Sequence, residues 1–152
     1  MMGFLTEEEI KHVLTSNILG RIGCTDGNIT YVVPITYFYN GKDIILHSKV
    51  GMKVEMMRAN PQVCFEVDQI HTYNSWQSVS AWGKYVEVHE PAEREALLKS
   101  FVERMLYMKM SVTALPPEQF PFRLHPREEP FTFVVYKIVL EKLTGRYESP
   151  EA

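Results

Sequence analysis

Residues 20–48 read GRIGCTDGNITYVVPITYFYNGKDIILHS, and two dipeptides in that stretch decide the fold. Asp26-Gly27 and Asn40-Gly41 are preferred two-residue hairpin turns, because their residues accept positive φ at low cost. The apolar runs around them, residues 20–24, 29–39 and 43–48, then read as an antiparallel meander and not as a βαβ unit. Upstream, Thr6-Glu7-Glu8-Glu9 is a capping box opening a short helix whose apolar stripe is Ile10, Val13 and Leu14. Downstream, residues 50–60 turn helical, with Val50, Val54 and Met57 on one face, until Asn60-Pro61 ends them. Residues 62–68 (QVCFEVD) alternate apolar and polar, as a strand with one buried face does. Residues 69–75 read as a loop, and 77–88 as a long strand in which Gly83 marks a bulge or a barrel bend. Pro91 opens the longest helix, with Leu97, Leu98, Phe101, Val102, Met105 and Leu106 as its stripe. Residues 115–130 are proline-rich and irregular, and 131–143 form the last strand. The pattern predicts a single mainly β domain over residues 1–152, a six-stranded antiparallel split barrel with flanking helices. Closure removes exposed edges, and a plain α+β sandwich is the alternative.

The bulk numbers narrow the function classes. The chain has 152 residues, 45% of them hydrophobic and 23% charged, as in an ordinary globular protein. Lys plus Arg is 16 against 19 Asp plus Glu, a net charge of −3, which argues against broad nucleic-acid binding. No apolar run approaches the ~18 residues of a membrane helix. The start, MMGFLTEEEIKH, is acidic where a signal peptide is basic, so the expected compartment is cytoplasmic. Cys24 and Cys64 are too few for a disulfide scaffold or a zinc site and read as small buried side chains.

Three segments carry candidate chemistry. His47-Ser48 ends a strand and Lys53 falls in or near the first turn of the next helix, where free amides and an ammonium suit an anion. A capped, solvated helix start is the plainer account of the same residues. Pro34 interrupts YVVPITY, so that strand is an edge, is bulged, or faces something other than a strand. Trp76-Gln77-Ser78-Val79 opens the long strand with one large ring, either a ligand rim or core filler. Of the other histidines, His12, His71, His89 and His125, none has ligand spacing; His71, before Trp76, is the one placed to deliver a proton to a substrate.

Taken together, YVVPITYFYNGKDIILHSKVGMKVEMMRANPQVCFEVD, then WQSVSAWGKYVEV, AEREALLKSFVERM and YKIVLEKLTGR, resemble the flavin-binding split-barrel superfamily related to pyridoxamine phosphate oxidase. Within it, the nitroimidazole-resistance (Nim-like) branch is the nearest. The resemblance implies an FMN-binding homodimer with the cofactor at the subunit interface. It implies that main-chain groups of Val33, Pro34, Ile35 and Thr36 line the isoalloxazine ring, and that His47, Ser48 and Lys53 hold the phosphate. Ser78 and Val79 would close the site, with Trp76 and Arg146 reaching the partner's flavin. The arginine-rich set that binds substrate phosphate in the oxidases has no counterpart here, where the strand reads VVPITYF. The implied activity is therefore FMN-dependent reduction of a small aromatic or nitroaromatic substrate, with NAD(P)H bound only transiently, since no GxGxxG is present. The alternatives are a haem-handling protein on the same barrel, with His47 or His71 as axial ligand, and a flavin module without turnover.

Overall fold

The computed structural model describes residues 1–108 and 132–150. Its elements, in chain order, are β1 (Met2–Phe4), α1 (Glu7–Ser16), β2 (Leu19–Thr25), β3 (Thr30–Thr36), β4 (Phe38–Tyr39), β5 (Asp43–Lys49), α2 (Met52–Ala59), β6 (Gln62–Thr72), β7 (Ser75–Glu87), α3 (Pro91–Tyr107) and β8 (Phe133–Glu148). All pairings are antiparallel, in the order β3-β2-β6-β7-β8-β5-β4, with β1 added on β8.

That order contains the barrel. β3 and β4 lie at opposite ends of the path, yet only Tyr37 separates them in the chain. The sheet must therefore curl until its ends meet at one residue, which is the seam of a split barrel. Tyr37 is fully buried there. Its amide donates to the Ile18 carbonyl (2.8 Å) and its hydroxyl to the Leu14 carbonyl (2.7 Å). The single strand expected over 29–39 is accordingly two strands, because Tyr37 spends its hydrogen bonds on α1 and the loop after it.

Among the described residues, eight strands replace the expected six. β1 is the strand the sequence pattern did not show, and the β3/β4 break is the other. Residues 69–75 are not a loop: β6 and β7 run on to a tight turn at Tyr73 and Asn74. β8 extends to Glu148, beyond the expected end at 143, since β7 and β1 pair both sides of its last residues. Residues 115–130, His125 and Phe131 lie outside the described residues. Gly83 is a bulge: the register with β8 shifts between Trp82 and Gly83, and a Cβ there would collide with the Val139 carbonyl oxygen.

Alternation fills the barrel. Ile22 and Cys24 of β2, Val63, Phe65 and Val67 of β6, Val79, Ala81 and Tyr85 of β7, and Tyr136 and Ile138 of β8 join one core. α1 plugs it with Ile10, Val13 and Leu14, capped by the Thr6 hydroxyl accepting from the Glu9 amide (3.2 Å). α3 packs outside through Leu98, Phe101 and Met105, while Leu106 of its expected stripe is exposed. Glu90 caps it, accepting from the Ala92 and Glu93 amides (3.1 and 2.6 Å). No helix among the described residues is long and apolar enough to cross a membrane.

Tyr37→Phe keeps the ring but leaves a helix carbonyl unpaired inside the seam. It should cost about 1–3 kcal/mol, measured as a lowered urea midpoint with an unchanged slope.

Candidate functional site

Turning one face of each strand inward leaves an outer face on β3-β2-β6-β7. Arg21, Gly23, Val32, Cys64, Glu66, Ser80 and Trp82 have the opposite parity to the core residues and surround an open cavity of about 630 Å³. That volume falls within the range of small-molecule and cofactor sites. Its floor is bare at Gly23, where a Cβ would stand 3.7 Å from Val32 Cγ2 and from the Cys64 carbonyl. Trp82 forms one wall, with the Lys142 ammonium 5.4 Å from its ring centroid. A second cavity, of about 670 Å³, runs along α3 between charged side chains such as Arg94, Glu95 and Lys99, and none of the expected cofactor-binding residues lines it. The outer-face cavity is the better chemical match because it is apolar at its floor and polar at its rim.

The rim is a charge cluster. One Arg21 nitrogen, Nη1, donates to Glu66 Oε1 (3.1 Å) and to Asp68 Oδ2 (2.6 Å), and Ser78 Oγ donates to Glu66 Oε2 (3.0 Å). Burial, reinforced by neighbouring Asp68, pushes the Glu66 carboxyl above the usual glutamate range, while Ser78 and Arg21 pull it back. Asp68 and then Glu66 hold the Arg21 guanidinium more firmly protonated than usual.

Behind the same strands lies a different cation. Lys53 sits in the first turn of α2, whose N-cap Gly51 supplies no side-chain bond to the free amides. Burial lowers the Lys53 pKa, against a smaller opposing pull from Cys24, and no described carboxylate pairs with it. Cys24, whose thiol is pushed up by burial and drawn back by the Lys53 charge, lines the cavity. The Ser48 hydroxyl is 2.7 Å from the Tyr136 hydroxyl, inside the core. The sequence placed His47 beside them, but alternation along β5 sends it the other way. Its ring meets Phe101 of α3 and Phe133 edge-on, at 4.9 and 6.1 Å. His47 and Ser48 thus serve opposite faces.

The remaining expected residues separate similarly. Val33 and Ile35 pack against the core, Pro34 is exposed and Thr36 half-buried, all on β3, which pairs only with β2. Pro34 therefore lies on an edge strand, where a missing donor is tolerated. Ser78 joins the rim, but Val79 is wholly buried in the core. Trp76 donates to Glu148 (2.9 Å), and Arg146 stacks 5.5 Å from the exposed Phe4 ring. His71 lies at the end of β6, exposed, in a register shift. Five residues at ~3.3 Å each put it roughly 16 Å along the strand from Glu66, so it does not line this cavity. Sequence reading missed Arg21, Glu66, Asp68, Cys64 and Trp82. The alternation of QVCFEVD held the signal, since its polar members had to share one face. Cys64, expected to be buried, is half-exposed on that face. No group of described residues is arranged to hold a metal ion.

Comparisons with known proteins agree with this architecture. The family model described as pyridoxamine 5'-phosphate oxidase matches residues 6–147. A FAD-binding protein from Mesorhizobium loti superposes with a TM-score of 0.74 at 27% identity, covering 98% of this chain and 99% of that one. A protein assigned to 5-nitroimidazole antibiotic resistance in Bacteroides thetaiotaomicron superposes with a TM-score of 0.70 at 20% identity, covering 97% and 87%. An uncharacterised protein of Rhizobium meliloti is 32% identical over 84 residues, 55% of this chain and 56% of that protein. The match thus spans little more than half of that relative's length.

An unpaired, half-buried ammonium weakens the fold that contains it. With the folded pKa below the unfolded one, the penalty is full at neutral pH and fades as the unfolded chain also deprotonates. Lys53→Met should raise the ligand-free melting temperature at pH 7, and the gain should shrink toward pH ~10.4.

Proposed function

Because the chain belongs to the pyridoxamine 5'-phosphate oxidase family, we propose that it binds FMN and works as a flavin-dependent oxidoreductase on small aromatic or nitroaromatic substrates. Lys53 carries this reading. A desolvated ammonium without a carboxylate is costly, and a phosphate at the bare start of α2 offsets that cost with charge and with the helix amides. A single buried cation of this kind suits the one phosphate of FMN better than the diphosphate of FAD. The FAD-binding protein with which the chain superposes over nearly its full length supports a flavin as the ligand.

The donor set fits the group. The unpaired side of β3 offers main-chain groups to the polar rim of an isoalloxazine, and the adjoining outer-face cavity, apolar at its floor, is left to the substrate. Flavin supplies hydride chemistry. The chain supplies place: Lys53 fixes the phosphate, Gly23 keeps the cavity floor open for a substrate ring, and Trp82 and Val32 shield that ring from water. The electron donor we infer is NAD(P)H, bound transiently.

The working unit we propose is a homodimer. Val32, Leu19, Phe4 and Ile70 are 62%, 55%, 76% and 63% exposed around the outer face, more apolar surface than a lone subunit normally presents. A two-fold pair would cover it and enclose the cofactor.

Purified protein should absorb near ~450 nm, as oxidised flavin does, and bleach with NAD(P)H, whereas a Soret band near ~400 nm would assign haem instead. Lys53→Ala should weaken FMN roughly 5- to 150-fold and riboflavin, which has no phosphate, far less. Equal losses for both ligands would refute the phosphate assignment. Sedimentation should give twice the 17.7 kDa subunit mass.

A further inference from the structure

We propose that Glu66 and Asp68 set the charge specificity of the outer-face cavity, so that it takes uncharged or cationic aromatic molecules and turns away anionic ones, phosphate esters included. The inference rests on the flavin reading only in treating the cavity as the substrate site.

Among the described residues lining the cavity, Arg21 is the sole cationic side chain, and two carboxylates already hold it. Both carboxylates hold its Nη1, at 3.1 and 2.6 Å, and both belong to β6, facing the same side at positions two apart. Ser78 on the neighbouring strand β7 fixes the second Glu66 oxygen, so Glu66 cannot easily swing away to release the arginine. One guanidinium against two carboxylates leaves the cluster with a formal charge of −1 when both are ionised. The other lining groups, Gly23, Cys64, Ser80 and Trp82 among them, carry no charge. Two further cations share this face on β8 and are held against rings: Lys142 over Trp82, and Arg146, beside Ser78 in the register, over Phe4. Lys53 of α2 acts toward the cavity only electrostatically, on Cys24. A planar uncharged ring gains the apolar floor at no electrostatic cost, and a cationic substituent adds attraction to the rim. A carboxylate or phosphate meets Glu66, an acceptor-only group in the lining, and an Arg21 already held by Glu66 and by Asp68 behind it.

Three nitroaromatics that share the 4-nitrophenyl ring and differ in the charge of the para substituent test this: 4-nitrobenzylamine, 4-nitrotoluene and 4-nitrobenzoate. Binding is read at pH 7 by quenching of tryptophan fluorescence in a Trp76→Phe background, which leaves Trp82 as the single tryptophan. Both FMN-loaded and flavin-free protein are titrated. The amine and the neutral probe should bind about 3- to 10-fold more tightly than the acid. Glu66→Gln with Asp68→Asn frees Arg21 and should bring the three probes level or favour the acid. Arg21→Gln should widen the preference for the amine and leave the weak affinity for the acid unchanged. Asp68→Asn alone, which keeps the Ser78 bond, should move the ratio partway if the double variant does not fold. The proposal is overturned by 4-nitrobenzoate binding as tightly as the others to the parent, by an unchanged ratio in the carboxylate variants, or by loss of acid binding in Arg21→Gln. Absence of FMN binding would sink the flavin reading while the ranking in flavin-free protein still judged the cavity.

Discussion

The structure hangs on the closure at Tyr37. One buried residue spans the two ends of a seven-strand path, and its two hydrogen bonds tie that seam to α1 and to the residue before β2. α1 has no basic side chain in its last turn, so its terminal carbonyls depend on distant donors. Asn17 takes that of Val13 (2.8 Å), Tyr37 that of Leu14, and Arg104 of α3 that of Thr15. The plug helix, the outer helix and the barrel seam are thus satisfied by one set of groups. Without the closure, the outer face would have no fixed curvature.

The sequence was legible where chemistry is local. The proline before the long helix, the Thr6 cap and Gly83 each impose a conformation on neighbouring residues and the fold honours them, while both hairpins turn one residue later than expected, at Gly27-Asn28 and Gly41-Lys42. What the sequence concealed was pairing at a distance. Nothing in FYNG shows that Phe38 and Tyr39 belong to the opposite end of the sheet from Ile35, because that depends on which strand reaches β5 first. The turn at Tyr73 and Asn74 lacks glycine and proline, so it reads as a longer loop. The candidate site shows the same limit. A helix start with a lysine is visible in one dimension, and Lys53 does stand in the first turn of α2. His47 was grouped with Ser48 because adjacent letters look like neighbours, although alternation makes them strangers. The rim of Arg21, Glu66 and Ser78 joins three strands and is written nowhere as a motif.

Two cations, handled in opposite ways, mark the division of labour. Arg21 stands at the surface and is saturated by carboxylates, so its charge is spent on holding strands β2 and β6 in a fixed relation. Lys53 is more withdrawn and has no such partner, which is the condition of a group that waits for something from outside. Perturbed ionisable groups with no internal purpose concentrate at functional sites, whereas saturated pairs more often serve structure.

The placement of β8 has a consequence in time. It lies between β7 and β5 and also carries β1, yet it is built from residues 133–148. On a ribosome, β2, β3, β6 and β7 can assemble among themselves as soon as they emerge. The β4–β5 hairpin cannot, because its only other neighbour in the sheet is still unmade. Ile44, Ile45 and Leu46, all buried in the finished molecule, must wait through the synthesis of α2, β6, β7 and α3 before they are covered. The barrel therefore forms last-strand-late, with a high share of long-range contacts and a nascent apolar hairpin in need of protection. A ribosome stalled short of residue 133 would hold half a sheet and an unclaimed edge.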